Sequence, residues 1–175
     1  MKLLLRFVMW SIPVFFLAFA SWQYYGLGGT LVMHRDFASV SPLVNDPVPS
    51  SRVTRRNAFP VIIDEPVYLD VRMPRHFDSV KVSLEYENPH AVPIKFGPKL
   101  QVGDDPHSWK FDLRTLDVLP LQFDIAPLEV QHHKLRFIVS APQVRGAPQG
   151  IILKDMTVEF TGTSLWQKIY SLLPW

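Results

Sequence analysis

Along the middle of the chain, apolar and polar positions alternate in short bursts separated by proline- and glycine-marked breaks. In Val67–Met73 the residues Val67, Leu69, Val71 and Met73 share one face, while Tyr68, Asp70 and Arg72 share the other. In Ser79–Glu87, Val80, Val82, Leu84 and Tyr86 alternate with Ser79, Lys81, Ser83, Glu85 and Glu87. Period two with one apolar face marks a half-buried strand of an antiparallel sheet. Pro74–Asp78 between them has turn composition. Further strand-like stretches follow at Val92–Phe96, Leu100–Val102, Ser108–Leu113 and Leu121–Ile125. Two more contain Leu135, Phe137 and Val139, and then Ile152, Met156, Val158 and Phe160. About seven or eight short strands at this spacing predict an all-β fold, an antiparallel β-sandwich of immunoglobulin-like or jelly-roll type, over residues 61–163. Residues 34–60 hold four prolines and no clean periodicity, and are expected to be an extended tether.

The two ends follow other patterns. From Phe7 to Met33 a run of 27 residues carries no Asp, Glu, Lys, Arg or His. It predicts an N-terminal transmembrane helix within 1–33, with Trp22, Tyr24 and Tyr25 as an interfacial aromatic belt. Lys2 and Arg6 precede the run, so the N-terminus is expected on the cytoplasmic side and the rest of the chain outside the cell membrane. A cleaved signal peptide, 1–20, competes with that assignment, because Ala18-Phe19-Ala20 has the small-residue pattern of a cleavage site. A buried core helix is the third option. At the other end Leu165, Trp166, Ile169, Tyr170, Leu172 and Leu173 recur at helical spacing, with Ser164 and Gln167 as a capping box. They predict a short amphipathic helix over 164–175. It either docks on the sandwich or lies at the membrane surface, with Trp166, Tyr170 and Trp175 at head-group depth.

Composition agrees with one anchor and one domain: 175 residues, 47% hydrophobic and 19% charged, neither a disordered polar chain nor a multi-span one. Sixteen prolines disfavour a helical bundle, and the absence of cysteine excludes disulfides and thiolate chemistry. Once Lys2 and Arg6 are set aside, 16 basic side chains face 16 acidic ones, so the net charge gives no reason to expect nucleic acid. Arg52, Arg55 and Arg56 form a local basic cluster, either a solvated loop or a contact for phosphate or lipid head groups.

Candidate chemistry is sparse. His132-His133 would point to opposite faces of a strand and so make a poor metal pair. Asp104-Asp105 lacks a calcium-ligand ladder. Glu85 and Glu87 share a strand face, at a spacing compatible with glycoside hydrolysis, yet solvent-facing glutamates are far commoner there. No nucleophile elbow, P-loop, zinc-protease or dinucleotide fingerprint is present. No enzyme, metal or cofactor is therefore expected. Tyr68, Tyr86, Trp109 and Phe111 are aromatic candidates for stacking on a sugar ring or, alternatively, core and cross-strand residues. Tyr68 and Trp109 are the assigned candidates, Tyr68 first because alternation sets it opposite the apolar face.

The segment Asp64–Asp78 (DEPVYLDVRMPRHFD), followed by Val80–Asn88 (VKVSLEYEN), resembles a stretch of uncharacterised, N-terminally membrane-anchored β-sandwich ectodomain proteins of candidate-phylum-type bacteria. Ser41-Pro42 after the apolar run and the W-x-(F/Y)-x-L element Trp109–Leu113 add to it, so that it covers about residues 40–110. Leu135–Pro142 and Gly150–Gly162 are similar to the last strands of carbohydrate-binding jelly rolls. Related chains are often much longer, which implies a pared-down ectodomain here. The resemblance brings no activity and no catalytic residue. The expected function is that of a single-pass, membrane-anchored extracytoplasmic binding module, a structural or accessory subunit of a cell-envelope assembly acting through a protein partner. Binding of a surface glycan is the alternative, and a secreted hydrolase the third.

Overall fold

A computed structural model of the protein describes residues 10–20, 28–74, 76–101, 109–117, 119–145, 147 and 149–163. Among them lie twelve strands: β1 (Gly29–Asp36), β2 (Val53–Arg56), β3 (Phe59–Ile62), β4 (Val67–Arg72), β5 (Ser79–Glu87), β6 (Lys95–Leu100), β7 (Lys110–Phe111), β8 (Arg114–Thr115), β9 (Leu121–Asp124), β10 (Val130–Gln131), β11 (Lys134–Ser140) and β12 (Ile151–Gly162). They form two antiparallel sheets of six strands each. The first runs β2-β3-β12-β5-β9 with β1 also on β12; the second runs β10-β11-β6-β7 with β4 on β11 and β8 on β6.

The alternation read along the chain is what makes the core. β4 buries Val67, Leu69 and Val71, and β5 buries Val80, Val82 and Leu84. β11 adds Leu135, Phe137 and Val139, and β12 adds Met156, Val158 and Phe160. These rows belong to one apolar cluster shared by both sheets. Phe123 of the first sheet meets Phe137 of the second at 6.4 Å between ring centroids, and Phe137 stacks on Phe96 at 5.2 Å. Full burial of each such side chain contributes about 1.5–3 kcal/mol.

The expected immunoglobulin-like or jelly-roll sandwich is corrected: the sheets are antiparallel but do not close into a sandwich or barrel. Their paths branch. β5 occupies one edge of β12 from Ile152 to Thr161, so β3 (at Ile151 and Ile152) and β1 (from Asp155 to Gly162) sit end to end along the other. A bulge between Leu153 and Asp155 falls where β3 gives way to β1. β11 is used the same way, with β4 on one edge and β10 and β6 in tandem on the other. Alternation specifies faces and leaves the edge partners open.

The transmembrane anchor is corrected as well. Among the described residues no helix is long and apolar enough to cross a membrane. Within the described residues the helical stretch is 10–20, which at 1.5 Å per residue covers roughly 16 Å, about half of a hydrocarbon core. Residues 29–33, counted toward the span because they carry no charge, are the first half of β1, paired with β12. Without the span, the membrane as a partner, the signal-anchor assignment and the topology with a cytoplasmic N-terminus and an extracytoplasmic domain lose their basis. So does the role of membrane-anchored envelope subunit. Trp22, Tyr24, Tyr25, Trp166, Tyr170 and Trp175, and the helix expected over 164–175, lie outside the described residues.

Residues 34–60, expected as a tether, instead belong to the folded body. Phe37 and Val44 are in the core, and residues 43–48 run along the outer edge of β4 through bridges Val44–Val71 and Val48–Tyr68. The alternation Met33, Arg35, Phe37 is inward, but an arginine in the middle of it hides the pattern. Arg35 is buried, and its Nη2 donates to Asp46 Oδ1 at 2.7 Å. Asp46 Oδ2 accepts from Arg55 Nη2 at 2.8 Å. The Arg35 guanidinium lies 5.5 Å from the Phe37 ring, and its Nε and Nη1 have no partner among the described residues.

An incompletely bonded buried cation depends on its one counter-charge. Asp46→Ala is therefore expected to cost about 2–3 kcal/mol in urea unfolding, whereas Arg35→Met, of similar volume, costs less or stabilises. A larger loss for Arg35→Met than for Asp46→Ala overturns this account.

Candidate functional site

The outer face of the second sheet carries most of the polar chemistry that the fold organises. Inward burial of Val67, Leu69 and Val71 turns Tyr68 and Asp70 outward, and inward Leu135, Phe137 and Val139 turn Lys134 and Arg136 outward. The β4–β11 register sets Arg136 opposite Asp70 and Ile138 opposite Tyr68, so each pair shares that face. Arg136 and Asp70 form a two-pronged pair: Nε donates to Oδ1 at 2.7 Å and Nη2 to Oδ2 at 2.9 Å. Hydrogen bonding to Asp70 holds the Arg136 guanidinium above its ordinary range, so it stays cationic at any working pH. Beside it on β6, Lys99 Nζ reaches both oxygens of Glu129, at 2.9 and 2.8 Å.

An aromatic cluster closes over this face. Tyr68 lies 5.8 Å from Trp109 and 6.2 Å from Phe111, and those two are 6.3 Å apart. Lys99 Nζ sits 4.5 Å above the Trp109 ring, and the Arg136 guanidinium 5.8 Å from Tyr68. The cluster explains why Ile138 is buried although its side of the sheet faces outward. Trp109 remains 50% exposed, which leaves ring surface free for a ligand.

β4 and β7 are not neighbours in the sheet, so Trp109 and Phe111 reach Tyr68 only because the chain folds back over β6. Gly97 permits this. It faces outward opposite Ile138, and a Cβ there would lie 1.7 Å from the Asp112 carbonyl oxygen. Backbone of residue 112 thus occupies the place of a side chain, with Asp112 N–H donating to the Pro98 carbonyl at 3.1 Å.

Next to the cluster is a groove of about 260 Å³ lined by Asp70, Lys99, Glu129, Gln131, His132, Lys134 and Arg136. It shares Glu129 and His132 with a cleft of about 570 Å³ floored by Met73, Ile125 and Leu128. His132 and His133 are the two central residues of the β10–β11 hairpin, both left-handed with φ of 49° and 59°, the conformation a type I′ turn needs. They are turn histidines. Among the described residues no three His, Cys, Asp or Glu side chains gather as a metal site.

Both assigned ligand residues, Tyr68 and Trp109, are therefore brought together, with Phe111 beside them. Tyr86 is elsewhere: it packs against the core, and burial, with Asp117 nearby, pushes its phenol up. Glu87, one of the paired glutamates, is 3.0 Å from Lys154. In the basic cluster, Arg52 donates to the Pro66 carbonyl and Arg55 to Asp46, both structural tasks. Asp104-Asp105 lies outside the described residues. The ion pairs Arg136–Asp70 and Lys99–Glu129 went unseen in the sequence because 66 and 30 residues separate the partners. The one local signal was the outward position of Asp70.

Gly97→Ala is expected to push the 109–113 crossing off the sheet and cost roughly 1–3 kcal/mol in urea unfolding, as overpacking does. Near-UV circular dichroism then loses the aromatic signal of the cluster. Unchanged stability and spectrum would show that Asp112 does not hold this position.

No family model matches the chain, and the comparisons with curated proteins and with solved structures found no match either.

Proposed function

We propose that this domain is a carbohydrate-binding module whose ligand lies along the outer face of the second sheet. The observation that carries the proposal is the convergence of Tyr68, Trp109 and Phe111 beside a groove of fixed polar side chains. A sugar ring offers C–H groups on one face and hydroxyls around its rim. The electron-rich face of an aromatic ring attracts the first. Carboxylates, guanidinium and amide groups hydrogen-bond the second. Here the two ion pairs hold those groups in place before a ligand arrives, which lowers the ordering cost of binding. A concave, polar surface with one half-exposed tryptophan suits a small saccharide better than a broad protein contact, which relies on apolar anchors in a desolvated centre. Trp109→Ala is expected to weaken binding of oligosaccharides selected on a glycan array by at least about tenfold, a change of roughly 1.4 kcal/mol, with the domain still folded by far-UV circular dichroism. Equal binding by wild type and variant in titration calorimetry rejects the proposal.

A second reading rests on β1. Among the described residues this eight-residue strand pairs only with β12, and Val32 on it is 59% exposed. A free strand edge can receive an extended segment of another protein through main-chain hydrogen bonds. If it does, Val32→Lys removes a protein crosslinked to residues 29–36, as read by mass spectrometry, and Trp109→Ala leaves it. Persistence of that crosslink in Val32→Lys counts against the edge.

A further inference from the structure

We infer that the saccharide carries an anionic substituent, a carboxylate or a sulfate, and that Lys134 and Arg72 hold it. This inference rests on the carbohydrate reading and names its ligand class. In the groove, each carboxylate is already committed. Both oxygens of Asp70 accept from Arg136, and both oxygens of Glu129 lie within 2.9 Å of Lys99 Nζ. Neither retains uncompensated negative charge to repel an acidic ligand. Lys134 is different. It lines the same groove, and its partner across the β4–β11 register is another cation, Arg72. Both side chains are on the outward face, Arg72 exposed and Lys134 half-buried. Among the described residues neither has a hydrogen-bond or ion-pair partner for its side chain.

Like charges directly opposite each other on neighbouring strands destabilise the pairing. Proteins ordinarily alternate signs at such positions, as Arg136 and Asp70 do one step along the same two strands. Arg72, Lys134, Arg136 and Lys99 against Asp70 and Glu129 leave two positive charges in excess on this part of the face. An anion seated between Arg72 and Lys134 turns the repulsion into two attractive contacts, four residues along β4 from the Tyr68 of the aromatic cluster, about 13 Å at the rise of a strand.

The test uses the full chain and three oligosaccharides of one backbone: neutral, uronate-bearing and sulfated. Titration calorimetry at low ionic strength is expected to show the wild type binding at least one anionic form roughly fivefold or more tighter than the neutral form, as two half-exposed ion pairs allow. The preference should collapse near 1 M salt, where the Debye length is about 3 Å. Arg72→Gln and Lys134→Gln should each reduce the anionic-to-neutral affinity ratio toward one. Arg72→Gln should not lower the Tm, because it removes a repulsion. The uronate and sulfate arms identify which group is held. If the neutral form binds as tightly as both anionic forms, and Trp109→Ala still weakens all three, the inference is wrong and the carbohydrate reading stands. If the anionic forms bind equally well to wild type and Trp109→Ala, the anion site stands and the carbohydrate reading fails. If no saccharide binds, both fail.

Discussion

The register of β11 against β4 is the constraint on which the site depends. Side chains alternate strictly along a strand, so a slip of one residue would carry Arg136 into the core and Phe137 out of it. The buried row Leu135, Phe137, Val139 forbids the slip, because its apolar area has nowhere else to go. The polar face is thus set by the apolar one. Asp70 meets Arg136, and Tyr68 covers Ile138, because the core rows beneath them are in step. The same alternation along β12 and β5 supplies the opposing wall, and the Phe123–Phe137 contact ties the two sheets together.

Much of this was legible from the residues alone, and what was not has physical reasons. The rows in β4 and β5 could be read directly, and so could the outward placement of Tyr68, because period two is local information. Trp109 stood out as an aromatic, but its meeting with Tyr68 depends on Gly97 letting residue 112 pass over the sheet, and no local pattern records that. Ion pairs across 66 and 30 residues are equally invisible before strand partners are known. The N-terminal error has a definite source. Lack of charge over 7–33 specifies solvation and leaves conformation open. A strand paired along its length satisfies the same lack of charge, as 29–33 show. Residues 33–37 show no apolar period because Arg35 sits where an apolar residue would complete the inward row of Met33 and Phe37.

That arginine also shows how the two sheets differ in their use of charge. On the outer face of the second sheet, Arg136 and Lys99 meet their carboxylates squarely; Arg136 keeps partial contact with solvent, while Lys99 is buried beneath Trp109. On the first sheet, Arg35 is taken almost wholly out of water and given one counter-charge, which it shares with Arg55. Both pairs hold donors and acceptors in fixed directions. The Arg35–Asp46 pair fixes where residues 43–48 cross the edge of β4, and so protects that edge from pairing with other chains.

The tandem arrangement on β12 has a consequence for how the chain comes to be folded. β1, β3 and β5 begin at residues 29, 59 and 79, yet each finds its place in the first sheet through a strand that starts only at residue 151. During synthesis, at about 5–20 residues per second, those three segments must therefore wait on the order of several seconds with open edges before their common partner emerges. The second sheet has its counterpart strand sooner, since β11 ends at Ser140. Before β12 is made, the first sheet can hold only its β2–β3 and β5–β9 pairs, whereas every strand of the second sheet is already present.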